Sequence, residues 1–147
     1  MKEKLIKLLN NSYSPYSKFR VSAIVVMKDN CEFSGVNVEN AAYGSSICAE
    51  RSAILAAISN GYKKGDFKEL YVMCDNDKIG MPCFACRQVI FELLDEDVLV
   101  TCLNPKGESL VLKVKDLCPF PFGSEDLLWK VDLLVLLEDQ MSGRAVF

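Results

Sequence analysis

Two short cysteine-bearing segments constrain the folding of this chain more than any other feature. Cys48-Ala49-Glu50 and Pro82-Cys83-Phe84-Ala85-Cys86 each follow a β-rich stretch and each open a stretch with apolar residues at helical spacing. Residues 47–59 carry Ala, Ile and Leu in that pattern, and Gly61 ends it. Residues 83–94 read as a second helix, with Pro82 tolerated at its start because a first-turn N–H needs no partner. A chain that passes twice from strand to helix builds a layered domain.

The remaining pattern fits that frame. Leu5, Ile6, Leu8 and Leu9 predict an N-terminal helix with one buried face, broken at Ser14-Pro15-Tyr16-Ser17. Residues 21–27 and 31–38 read as strands joined by a turn at Lys28-Asp29-Asn30. Residues 70–74, 98–103 and 110–114 supply three more strands, the last two divided by Asn104-Pro105-Lys106-Gly107. The order α-β-β-α-β-α-β-β predicts an α/β domain, a mixed five-stranded sheet with helices packed on its faces. There is no internal repeat or low-complexity tract, and 147 residues suffice for one buried core.

Charge narrows the partners. A formal charge of −3, with no basic run longer than Lys63-Lys64, argues against a nucleic-acid polymer and leaves small uncharged molecules open. The N-terminal stretch has no apolar signal region or cleavage site, so no leader is expected. The longest apolar run, residues 127–137, is interrupted by Lys130 and Asp132, so no membrane span is expected either. Seven cysteines, an odd number, favour reduced thiols in the cytoplasm over a disulfide framework.

Cys83 and Cys86, three apart, share one helix face, and Cys48 opens the other helix two residues before Glu50. Helix N-termini favour thiolate over thiol. Bringing the two starts together at one sheet edge would place three thiolates around a point, a site that suits zinc. No His exists in the chain to replace any of them. Three protein ligands leave a fourth position for water, as in catalytic zinc sites. Arg51, beside Glu50, is placed to hydrogen-bond thiolate sulfur and offset its charge. Taken singly these residues have blander roles: a redox pair or half of a four-cysteine structural site for Cys-x-x-Cys, a dipole partner for Glu50, a surface charge for Arg51. Cys31, Cys74, Cys102 and Cys118 form no second Cys-x-x-Cys and are expected to pack the core.

Zinc deaminases acting on nucleobases carry the signature His-x-Glu…Pro-Cys-x-x-Cys. With Cys48 in the His position, this chain resembles the small, homotetrameric, three-cysteine type of the cytidine/deoxycytidylate deaminase family. The likeness extends over Tyr16-Ser17-Lys18-Phe19, Asn37-Val38-Glu39-Asn40-Ala41-Ala42-Tyr43, Cys48-Ala49-Glu50-Arg51, Pro82-Cys83-x-Ala85-Cys86-Arg87-Gln88 and Phe122-Gly123-Ser124-Glu125-Asp126-Leu127. It implies a catalytic domain over residues 1–127 and a tail over 128–147. It further implies one Zn2+ per chain on Cys48, Cys83 and Cys86, and hydrolytic deamination of free cytidine and deoxycytidine, with release of ammonia, in pyrimidine salvage. Glu50 would move the protons. Asn37 and Glu39 would bind the ribose hydroxyls, Phe19 would pack beside the nucleoside, and the Ala49 N–H would hold a base carbonyl. Phe122 of a neighbouring subunit would stack on the base. For Asn37 and Glu39 the ordinary alternative is a solvated strand end; for Phe19 and Phe122 it is core packing.

Two features depart from the family pattern. Phe84 stands where the motif usually has Gly, so a side chain must fit close to the metal loop. About twenty residues follow the Ser-Glu-Asp-Leu segment, of which 128–137 read as an amphipathic helix and 141–147 as an irregular end. Rival readings are a deaminase of another small substrate, a zinc-stabilised interaction module, or a redox protein built on Cys83 and Cys86.

Overall fold

The computed structural model describes residues 1–127, so the readings for 128–147 lie outside the described residues. Its elements are α1 (Lys2–Leu9), β1 (Val21–Met27), β2 (Glu32–Val36), α2 (Ala49–Ser59), β3 (Phe67–Cys74), α3 (Phe84–Leu93), β4 (Leu99–Leu103), β5 (Ser109–Lys113) and α4 (Val114–Leu117). Single 3-10 turns lie at Tyr43–Ser45 and Ser124–Leu127. The strands form one mixed sheet in the order β2-β1-β3-β4-β5. Only the β3–β4 pair is parallel, and α3 supplies the crossover that a parallel pair needs.

Every residue of β1 is buried, which explains its unbroken Val/Ile run: both sheet faces are covered. Ala23, Val25 and Met27 point with Leu70 and Val72 into the core beneath Ile54 of α2 and Ile90 of α3. Ile24, Val26 and Met73 meet Leu5 and Leu9 of α1 on the opposite face. Each fully buried Leu or Ile contributes roughly 1.5–3 kcal/mol. Ser22 is buried among them without penalty because its hydroxyl donates to the Leu5 carbonyl at 2.9 Å.

Register decides where the site is built. Val21 opens β1 opposite Cys74, the last residue of β3, and Ser22 stands opposite Val36, the last residue of β2. The chain therefore leaves β2 and β3 at the same end of the sheet, and both α2 and α3 begin there. Gly35 brings α2 close: a Cβ on it would lie 2.4 Å from the Ala49 carbonyl oxygen and 2.4 Å from the Ala53 nitrogen.

Several boundaries differ from the sequence reading. β2 ends at Val36 because Asn37 turns its side chain to the β1 edge, accepting from the Val21 N–H at 2.8 Å. β3 starts at Phe67, three residues early, and Val114 opens α4 instead of closing β5. Pro82 lies one residue before the N-cap Cys83, so it precedes the helix and does not occupy its first turn. Cys74, Cys102 and Cys118 are buried as expected, but Cys31 is exposed in the turn before β2.

Candidate metal centre and active site

Cys48 and Cys83 are the N-cap residues of α2 and α3, each with extended backbone (ψ 156 and 163) and no side-chain capping bond. An N-cap normally offers oxygen to the free N–H groups of the first turn. Here it offers sulfur, and the two sulfurs lie 3.8 Å apart. Cys86, in the first turn of α3, completes a group whose sulfurs all lie within 4.8 Å of one another. Tetrahedral zinc with arms of about 2.3 Å requires sulfurs separated by about 3.8 Å, so the donor set fits that ion. Two helix N-termini aimed at one point stabilise the negative charge it requires.

Arg51 lies against this cluster. Its Nη2 donates to Cys48 Sγ at 3.6 Å and to the Ser46 carbonyl at 3.4 Å, while its buried Nε has no partner among the described residues. A buried guanidinium left partly unpaired is costly unless negative charge stands nearby, and the thiolates supply it. The Cys86 thiol's hydrogen bond brings Cys48 well below the usual thiol range against the opposing effect of burial, and Arg51 adds to the fall. Cys86 is driven upward by the same contact and by burial. The core thiols behave differently: burial pushes Cys74 up to about 12 and Cys102 up to about 11, as for inert packing residues.

Glu50 occupies the second position of α2 and is only 4 % exposed. Burial raises its carboxyl above the ordinary range, its own backbone N–H opposes the rise, and the Cys48 charge adds to it. Ala49, fully buried, presents a first-turn N–H that has no acceptor within the helix.

The proposed nucleoside-binding residues fall into two groups. Asn37 and Glu39 are bound to the 12–21 loop and are not a free strand end. Asn37 Nδ2 donates to the Phe19 carbonyl at 2.8 Å, and its Oδ1 accepts from Ser12 Oγ at 2.6 Å as well as from Val21. Glu39, buried, accepts from the N–H groups of Tyr16 (2.9 Å) and Ser17 (3.2 Å), from the Ser17 hydroxyl and from Tyr43 Oη (3.4 Å). Phe19 and Phe122 are not core residues: their exposures are 43 % and 55 %.

A family model of the cytidine and deoxycytidylate deaminase zinc-binding region matches residues 1–102. The cytidine deaminase of Halalkalibacterium halodurans is 39 % identical over 83 % of this chain and 91 % of its own length. That of Sporosarcina psychrophila is 40 % identical over 88 % and 97 %. The crystal structure of cytidine deaminase from Burkholderia pseudomallei superimposes with a TM-score of 0.79 at 39 % identity, covering 82 % of this chain and 94 % of that one. This chain belongs to the cytidine and deoxycytidylate deaminase family.

Against the pattern of that family, the substitution at Phe84 is accommodated by geometry. The ring leads away from the cluster, is 82 % exposed, and lies under the Arg87 guanidinium with 4.9 Å between its centroid and the guanidinium carbon. Ser17, Tyr43, Arg87 and Gln88 complete the surroundings, and the sequence reading assigned them no role. Arg87 and Gln88 carried the one available signal, because they continue the helix one turn past the metal loop.

Proposed function

We propose that the chain is a zinc-dependent hydrolase that deaminates free cytidine and deoxycytidine to uridine and deoxyuridine, serving pyrimidine salvage in the cytoplasm as a homotetramer. The observation that carries this reading is a buried carboxylate, Glu50, two residues from one thiol of a three-thiol cluster. A structural zinc site has four protein ligands and no use for a carboxylate at its open side. When bound to Cys48, Cys83 and Cys86, zinc supplies a Lewis acid that lets water lose a proton near neutral pH.

The residues of the chain do the rest. Glu50 takes the proton from water, gives one to the ring nitrogen N3, and assists ammonia as it leaves, general acid–base work in a dry site. The Ala49 N–H holds the base carbonyl. Arg51 lowers the net negative charge of the thiolates. Asn37 and Glu39 bind the ribose hydroxyls, Glu39 by exchanging one of its loop contacts for a sugar hydroxyl. Phe19 packs beside the nucleoside, and Phe122 reaches the base from a neighbouring subunit. Support for assembly comes from the exposed rings of Phe84, Phe120 and Phe122, which a partner would cover. Support for a small uncharged substrate comes from the net charge of −3. None of the described helices is long and apolar enough to cross a membrane.

The test is ammonia release from cytidine and deoxycytidine by purified protein, before and after a strong chelator, with metal analysis of the same sample. One zinc per chain and chelator-sensitive release are expected. Tight zinc without deamination would leave an interaction module, and activity that survives complete metal removal would overturn the zinc chemistry.

A further inference from the structure

Arg87, one residue beyond Cys86, holds two stretches of chain that are distant in sequence. Its Nε donates at 2.8 Å to the carbonyl of Pro82, the residue before Cys83. Its Nη1 donates at 3.1 Å to the carbonyl of Leu117, the last residue of α4. The Phe84 ring lies against the guanidinium. In return the Cys118 thiol donates to the Arg87 carbonyl at 3.3 Å, and Gln88 Nε2 donates to the Phe122 carbonyl at 2.8 Å. The metal loop and the 117–122 segment thus close on each other around a groove of about 390 Å³.

The segment has little else to hold it. Residues 118–123 form no helix or strand, and Phe120 is fully exposed with its backbone in the left-handed region (φ 52). Pro119 and Pro121 stiffen it locally but do not fix it relative to the sheet. A planar guanidinium bonds two carbonyls in different directions at once, and an aromatic face beneath it fixes its plane. The side chain that replaces the family's glycine at position 84 therefore contacts Arg87 and not the cluster.

We propose that Arg87 is a positioning residue for substrate binding: it fixes the 117–122 segment to the metal loop so that Phe122 is presented in one attitude. This rests on the reading of Phe122 as the ring that covers the base. Arg87 acts through Phe122 and touches neither zinc ligand nor substrate. Its loss raises KM and leaves kcat and zinc nearly unchanged.

The experiment is a double-mutant cycle of Arg87→Met and Phe122→Ala on the zinc-loaded protein, read by KM and kcat for cytidine, zinc per chain, and amide hydrogen exchange over residues 117–123. Arg87→Lys, which keeps stem and charge but loses the fork, serves as a milder variant if methionine impairs folding. The expected result is a KM raised about five- to ten-fold by Arg87→Met, kcat within about two-fold, and faster exchange at 117–123. In the Phe122→Ala background Arg87→Met adds nothing to KM. Additive KM effects, zinc loss with falling kcat, or unchanged exchange would each overturn the proposal. If Phe122→Ala alone leaves KM unchanged, it is the Phe122 reading that fails, and exchange by itself decides whether Arg87 holds the segment.

Discussion

At the metal corner the backbone places each group that does chemistry. Cys48 and Cys83 cap two helices, Cys86 and Glu50 lie in their first turns, and the helix starts meet because β2 and β3 end side by side. At the aromatic rim, Phe19 and Phe122 project from loops, half in solvent, and only side-chain hydrogen bonds hold the loops in place. The corner is finished within one chain. The rim is completed by substrate and by a second subunit. Placement by regular structure is rigid enough for proton transfer, whereas placement by loops allows a nucleoside to enter and leave.

If that contrast holds, changes at the corner abolish turnover and changes at the rim alter affinity. The largest effect belongs to Glu50→Gln. The amide keeps shape and burial but neither takes nor gives a proton as the acid does, so kcat falls by about 10²–10⁴ or more. Zinc content and the thermal midpoint stay near their original values, since Glu50 is not one of the clustered thiols. Turnover near normal in this variant would remove Glu50 from the chemistry and blur the distinction between corner and rim.

Next in size is Gly35→Ala, which touches no functional group. The added methyl would press on the α2 backbone at Ala49 and Ala53, so α2 must shift. Overpacking of this kind costs about 1–3 kcal/mol, and here it also moves Cys48 relative to Cys83 and Cys86. A lower denaturation midpoint together with faster zinc loss to a chelator is expected. A lower midpoint with unchanged zinc exchange would show that the cluster tolerates movement of α2, and that the corner is less rigid than its geometry suggests.

The corner was also the more legible half in the sequence. Strand-to-helix passages, helix caps and Cys spacing are local patterns, and they carried the five strands, the three main helices and the convergence of Cys48, Cys83 and Cys86. Boundaries failed where a side chain overrode propensity: Asn37 leaves the strand pattern to bond Val21 and Phe19, and Val114 turns from strand into helix. Cys31 was assigned to the core by residue type, yet it follows a tight turn whose Asn30 is left-handed (φ 69), and that turn exposes it. The partners of Glu39 and Arg87 were illegible for a different reason. Ser17 is 22 residues from Glu39 and Leu117 is 30 from Arg87, and no periodic pattern encodes such pairs.

At the rim, Phe122→Ala removes a ring that is 55 % exposed in the single chain, so stability changes little. Stacking on a base is worth on the order of 1 kcal/mol, which gives a KM several-fold higher at nearly constant kcat. Whether the ring acts across subunits is read from co-expressed Glu50→Gln and Phe122→Ala chains. Mixed oligomers should regain turnover with a low KM, because an intact Glu50 can then meet an intact Phe122 from its neighbour. Light scattering over a dilution series gives the oligomeric state. A fully active monomer would place the whole site in one chain.

The smallest effect expected is at Glu39, and it depends on pH. Burial pushes its carboxyl up, but hydrogen bonds from the Ser17 hydroxyl and from the Tyr16 and Ser17 N–H groups outweigh burial and hold it below the usual carboxylate range. A depressed folded value means the charged form favours the ordered loop. That contribution is fully present above the ordinary carboxylate value, about 4.3, and is lost as pH falls through the lower folded value. Protection of the Tyr16 and Ser17 amides against hydrogen exchange should therefore stay constant from neutral pH down to about pH 5 and drop only in stronger acid. Glu39→Gln keeps an acceptor without the charge, so these two amides should exchange a few-fold faster at neutral pH and show no further acid-dependent loss relative to other loop amides. KM for cytidine should rise with the same modest factor, because Phe19 follows this loop. An acid-dependent loss of protection that persists in Glu39→Gln would assign the pH response to another group, and loss of kcat in place of KM would carry Glu39 from the rim into the chemistry of the corner.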